Sequence, residues 1–125
     1  MTLDEIMKSL YYQKETYFLD MFGKIKHNRT TLYADRNNCR SERQIQRWLL
    51  MNDLLNVSAW LNGEWAPDWS DPSAAKFALV MRGGKVTPAA VPEPCHVVYF
   101  KDEETASEAV RILGEERLRA VLEGV

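Results

Sequence analysis

The sequence predicts an α+β domain: a helical N-terminal half of two helices, a small three-stranded antiparallel sheet, and C-terminal helices packed on one face of that sheet. Three observations carry this. Two capping-box patterns, Thr2-Leu3-Asp4-Glu5 and Ser41-Glu42-Arg43-Gln44, each open a run of apolar residues at helical spacing. Gly83-Gly84 separates two short apolar runs, as a tight hairpin turn requires. Asp102 precedes Glu103-Glu104 and an alanine-bearing stretch, the layout of a capped helix with an acidic first turn.

Taken in order, Leu3, Ile6, Met7, Leu10, Tyr11, Tyr17, Phe18, Met21 and Phe22 recur at helical spacing and predict a helix over 3–22, closed by Gly23. Residues 24–40 have no clean period and read as a loop or a short hairpin through Leu32 and Tyr33. The second helix runs from the Ser41 cap to Asn62-Gly63. Ile45, Trp48, Leu49, Leu55, Ala59 and Trp60 lie on one side, and Leu50, Leu54 and Leu61 widen the stripe, which predicts burial on more than one face. Trp48 and Trp60 are expected in the core. An aromatic, proline-punctuated loop follows over 64–75. Lys76–Arg82 and the return from Lys85 form the hairpin, and Pro88, Pro92 and Pro94 keep that return short or at an edge. His96–Phe100 is the expected third strand. A helix from Asp102 to Gly114 and a last short one over 115–122 complete the chain.

The 125 residues (14.5 kDa) fit one domain, 1–125, in which residues 1–62 are helical and residues 63–125 form a sheet-plus-helix module. With 46% hydrophobic and 27% charged residues, the composition excludes a disordered tail, a collagen-like repeat and a disulfide-rich miniprotein. No apolar run is long enough to cross a membrane, and the start lacks the layout of an export signal. Cys39 and Cys95 therefore read as reduced thiols of a cytoplasmic protein.

Catalytic signals are sparse. His27 and His96 stand far apart in sequence, and a Cys95-His96 pair in a strand would point its side chains to opposite faces. No Cys/His pair has zinc-knuckle spacing. Asp68 and Asp71 with Asp102, Glu103 and Glu104 could gather around a hard cation, but capping explains the last three more simply. Gly83-Gly84 lacks the Lys-Ser/Thr pair of a phosphate loop. No catalytic residue, metal or cofactor is assigned, and the chain reads as a binding protein rather than an enzyme.

Charge is more informative. Residues 24–47 carry seven Lys or Arg against Asp35 and Glu42, a local balance of +5, while the other 101 residues sum to −7. Arg36, Arg40, Arg43 and Arg47 recur at three- or four-residue intervals and would share one face of a helix. Such a stripe suits phosphates or an acidic protein surface. With Lys24, Lys26 and Arg29, and with Tyr33 and Trp48 to stack on bases, it forms a candidate nucleic-acid site. Trp65 and Trp69 bracket Pro67-Asp68, where they would serve as contact anchors or plug the junction of helices and sheet.

The stretch Trp60-Leu61-Asn62-Gly63-Glu64-Trp65-Ala66-Pro67-Asp68-Trp69, with Val98-Tyr99-Phe100-Lys101-Asp102-Glu103-Glu104 and Ile112-Leu113-Gly114-Glu115-Glu116, resembles a set of small proteins carried by phages and integrated mobile elements of bacteria. The resemblance covers about residues 60–118. It implies a helical N-terminal region joined to a compact Trp-Pro-Asp-Trp and Val-Tyr-Phe-Lys module in a bacterial cytoplasm. The basic segment 24–40 and the proline-rich 88–94 depart from that pattern. By this association the expected function is docking on a host or phage protein, in the manner of an anti-CRISPR inhibitor of a defence nuclease. Arg36, Arg40, Arg43, Arg47, Trp65 and Trp69 would form the contact. The alternative is a small nucleic-acid-binding accessory protein using Lys24, Lys26, Arg29, Tyr33, Arg40 and Arg43. The long apolar stripe of the first helix also fits pairing with a second copy.

Overall fold

The structure is a computed structural model that describes residues 1–30 and 37–123. Its elements run α1 (Leu3–Tyr11), β1 (Lys14–Leu19), β2 (Ile25–Thr30), α2 (Glu42–Asn62), β3 (Phe77–Arg82), β4 (Lys85–Ala90), α3 (Glu103–Leu113) and α4 (Glu115–Leu122). The α+β class holds, but among the described residues the strands form two separate antiparallel pairs, β1–β2 and β3–β4, in place of one three-stranded sheet. The chain divides into two compact units, Met1–Leu49 and Leu50–Val125.

In the first unit the capping box forms as expected. The Glu5 amide donates to the Thr2 hydroxyl at 3.1 Å and the Thr2 amide to the Glu5 carboxylate at 3.3 Å. The helix nevertheless stops at Tyr11, eleven residues short of its expected end. Gln13 adopts a left-handed φ of 57°, and Thr16-Tyr17-Phe18, a β-branched residue beside aromatics, then prefers a strand. The stripe considered for pairing with a second copy is thereby cut to nine residues. Gly23, φ 76°, belongs to the turn between β1 and β2 and not to a helix end. Residues 25–30 pair backward with β1, and the expected loop or short hairpin through Leu32 and Tyr33 falls outside the described residues.

The other edge of β1 is also occupied. Tyr17 exchanges backbone hydrogen bonds with Cys39 at 2.9 and 2.7 Å. Two positions on, the Asn37 side-chain amide stands in for a strand, donating to the Leu19 carbonyl at 2.6 Å and accepting from its N–H at 3.3 Å. The Thr16 hydroxyl, buried, donates to the Cys39 carbonyl. Among the described residues β2 is thus the outer strand of this pair.

The α2 helix starts where its cap predicts, with the Gln44 amide on the Ser41 hydroxyl at 3.1 Å. The Gln44 side chain reaches one residue further back than a capping box requires and accepts from the Arg40 amide. Burial on more than one face holds along the helix, since Ile45, fully buried in the first unit, points about 140° or more away from Leu50, Leu54 and Ser58, buried in the second. Leu50, Leu54, Ser58 and Asn62, four residues apart, are the buried row of the second unit, and Trp60 stands about 200° around from Ser58. Trp60 is 84% exposed, and Trp48 in the first unit is exposed too, so neither lies in the core.

The core of the second unit joins Leu54, Leu79, Val86, Val98, Phe100, Ala106, Ala109, Leu113 and Leu118. Gly83 and Gly84, φ 57° and 75°, make the hairpin turn that side chains disfavour. Pro88 sits opposite Leu79, a position whose missing N–H faces away from the ladder. The neighbouring outward N–H of Val86 is taken by the Glu115 carboxylate at 2.9 Å. This edge is therefore closed to further strands.

The expected third strand reduces to a single bridge, Phe100 with Phe77, at 2.8 and 3.0 Å. Two side chains take over the rest. Asn62 donates to the Tyr99 carbonyl at 2.8 Å and accepts from the Lys101 amide at 3.2 Å, and the Tyr99 hydroxyl accepts from the His96 amide at 2.6 Å. Asp102 caps α3 through the Thr105 amide at 2.7 Å, and Gly114, φ 91°, separates α3 from α4. Among the described residues no helix is long and apolar enough to cross a membrane.

Candidate functional site

Charge divides as the units do. Met1–Leu49 holds nine Lys and Arg against six Asp and Glu, a balance of +3, and Leu50–Val125 holds seven against twelve, −5. A modestly acidic chain thus carries a basic unit, the arrangement that whole-chain pI conceals.

Within the basic unit the hairpin β1–β2 concentrates exposed Lys, Arg and His side chains. Lys24, just before β2, and Lys26, His27 and Arg29 along it are all exposed. Strand alternation sends Lys26 to one face of the ribbon and His27 and Arg29 to the other. His27 stacks on Tyr17, centroids 4.2 Å apart and nearly parallel, and its Nε2 lies 3.3 Å from the Glu15 carboxylate. Lys26 meets Asp20 only at 3.9 Å, a solvent-screened contact of small worth.

The tip is ordered by one carboxylate. Asp20 Oδ1 accepts from the Phe22 amide at 2.8 Å and the Lys24 amide at 2.9 Å. Its own backbone exchanges with Lys24 and Gly23 at 2.9 and 3.0 Å. The Lys24 amide first, then the Phe22 amide and the nearby ammonium groups, hold the Asp20 carboxyl below the usual carboxylate range. Between these anchors Met21 is 89% exposed and Phe22 80% exposed. The sequence placed both in the buried stripe of a long helix, so their role as a bare tip was missed.

The predicted arginine stripe is only partly assembled. Arg36 and Tyr33 lie outside the described residues. Arg40 occupies a bend before α2, exposed, and so shares no helical face with the others. Arg43 and Arg47 are on α2, the first exposed and the second half-buried. Trp65 and Trp69 fall in the other unit, both half-buried. The Trp69 ring packs edge-on against Tyr99 at 4.8 Å, with the Lys76 ammonium 5.0 Å from its centroid.

Around Trp69, Asp68 and Asp71 each close a turn. Asp68 Oδ1 accepts from the Ser70 hydroxyl and amide at 2.6 and 3.0 Å, and Asp71 does the same with Ser73. These serine hydroxyls, then their amides, lower both carboxyls, as the Thr105 hydroxyl and amide lower Asp102. Asp68 and Asp71 are thus engaged with their own loop, and among the described residues no three His, Cys, Asp or Glu side chains could hold a metal ion. A carboxyl whose folded pKa is depressed stabilises the fold above its unfolded value and loses that contribution as pH falls. Thermal melts should be flat from neutral pH down to about 5 and fall in midpoint below about pH 4. A midpoint that rises on acidification would contradict these turns.

Cys39 is buried, and burial pushes its thiol pKa up. Cys95 and His96 are exposed and in no strand, so they do not alternate across a sheet. Both line one cavity of about 280 Å³, otherwise walled mostly by apolar residues such as Leu54, Leu79 and Val121. No family model, curated protein or solved structure matches the chain.

Proposed function

We propose that this protein is a non-enzymatic accessory protein that binds nucleic acid through the basic hairpin of its first unit. The observation that carries the reading is the outer strand itself. Lys24, Lys26 and Arg29 are exposed beside a turn fixed by Asp20, with cations on both faces of a two-stranded ribbon. A groove is flanked by phosphates on both sides, and a ribbon of this kind can meet both. Arg40 and Arg43, exposed in the same unit, would add phosphate contacts.

Fluorescence anisotropy with a labelled duplex tests this. Non-specific binding with Kd of about 1–100 μM is expected at physiological salt. The triple variant Lys24→Ala, Lys26→Ala, Arg29→Ala should bind at least about tenfold more weakly, since it removes three phosphate partners. Equal affinity for parent and variant would sink the reading.

A second reading is favoured by Trp60, exposed on α2 in the acidic unit. A bare tryptophan is a frequent anchor of protein interfaces. It supports docking on a host or phage protein, including a defence nuclease, with Trp65 and Trp69 of the same unit as further contacts, while Arg43 and Arg47 belong to the other unit. Binding to a protein partner that Trp60→Ala abolishes, with no affinity for nucleic acid, would select it.

A further inference from the structure

We infer that Met21 and Phe22 form a wedge that enters between base steps of duplex DNA from the minor groove. This rests on the nucleic-acid reading and specifies what the hairpin does once bound. Two adjacent large apolar side chains are exposed at 89% and 80%, on a turn that is held rather than loose. Asp20 holds the amide of Phe22 within the tip and that of Lys24 just after it, and Gly23 supplies the positive φ that lets the chain reverse. The turn therefore presents both side chains outward. Lys24, Lys26 and Arg29 follow within eight residues of Met21, so one strand leading from the apolar tip carries cations that can meet the phosphates beside a base step.

Apolar side chains inserted from the minor groove partly unstack a step and kink the helix toward the major groove. Pyrimidine–purine steps give way most easily. The tip thus selects deformable DNA, while the lysines and arginine bind any sequence. A bare Met-Phe pair beside lysines could also dip into an anionic lipid surface, and the test separates the two.

The test uses the full chain with a duplex carrying end labels for energy transfer and 2-aminopurine at a central TA step. Binding of the parent should raise both transfer efficiency and 2-aminopurine emission, and a duplex with a TA step should bind several-fold more tightly than a stiff A-tract. Met21→Ala with Phe22→Ala touches no core residue. It should keep the salt-dependent affinity within about threefold while abolishing both signals. A parent that binds without either signal, or a double variant that gives both, overturns the wedge and leaves the hairpin reading intact. A parent that does not bind DNA at low salt overturns both. Binding to vesicles of anionic phospholipid lost in the double variant, with no DNA signal, assigns the tip to lipid and overturns the inference.

Discussion

Phe100→Ala is expected to lower the unfolding free energy by about 3–5 kcal/mol. The Phe100 side chain is fully buried and belongs to the cluster of Leu54, Leu79, Ala106, Ala109 and Leu118. Its backbone bridge to Phe77 does not depend on the side chain, so the substitution isolates packing from hydrogen bonding. Two of the α3 residues in this cluster are alanines, Ala106 and Ala109, which cannot swing in to fill the void. Urea unfolding followed by far-ultraviolet dichroism should show an earlier midpoint with little change in slope. A loss below about 1 kcal/mol would mean that the cluster collapses around the void, against close packing of this core.

Lys76→Met is expected to cost about 3 kcal/mol. Lys76 is 3% exposed, an unusual place for a lysine, and its ammonium donates to the Asp71 carbonyl at 2.8 Å and the Ala74 carbonyl at 3.0 Å. Hydrogen bonds from a charged donor are worth about 1.5–3 kcal/mol each, and removing the donor leaves both carbonyls to find other partners. The same ammonium sits over Trp69. Methionine keeps the apolar stem, so the loss reports the hydrogen bonds and the ring contact. Urea unfolding should show the destabilisation, and native-state tryptophan emission should shift to the red as the 68–76 loop opens. A methionine variant as stable as the parent would show that the clamp contributes nothing.

What the sequence made legible were features set within a few residues. The caps at Thr2, Ser41 and Asp102, the Gly83-Gly84 turn and the stop at Gly114 form because their hydrogen bonds or backbone angles are local. The errors lie where a distant partner decides. Tyr17 and Phe18 fit a helical period, yet Tyr17 pairs with His27 on one side and Cys39 on the other. Helical and strand patterns overlap in a run rich in aromatics, and pairing settles which wins.

Side-chain amides explain two further misses. Asn62 and Asn37 substitute for strand neighbours, at Tyr99–Lys101 and at Leu19, and hydropathy carries no mark of this. On α2, burial of Ser58 and Asn62 puts polar residues inside and leaves Trp60 outside, the reverse of what the apolar stripe suggests. At the candidate site, Lys24, Lys26 and Arg29 were legible from charge alone. The exposure of Met21 and Phe22 was not, because it follows from a hairpin that the helical reading excluded.

The most direct test of the account is the slope of log K against log salt for the parent and the Lys24→Ala, Lys26→Ala, Arg29→Ala variant on a duplex of about 20 base pairs, between about 50 and 200 mM salt. Each phosphate contact contributes about −0.9 to that slope. The account predicts a parent slope of about −3 to −5 and a variant slope shallower by about 3. A parent affinity that does not change with salt, or a variant as steep as the parent, would contradict it.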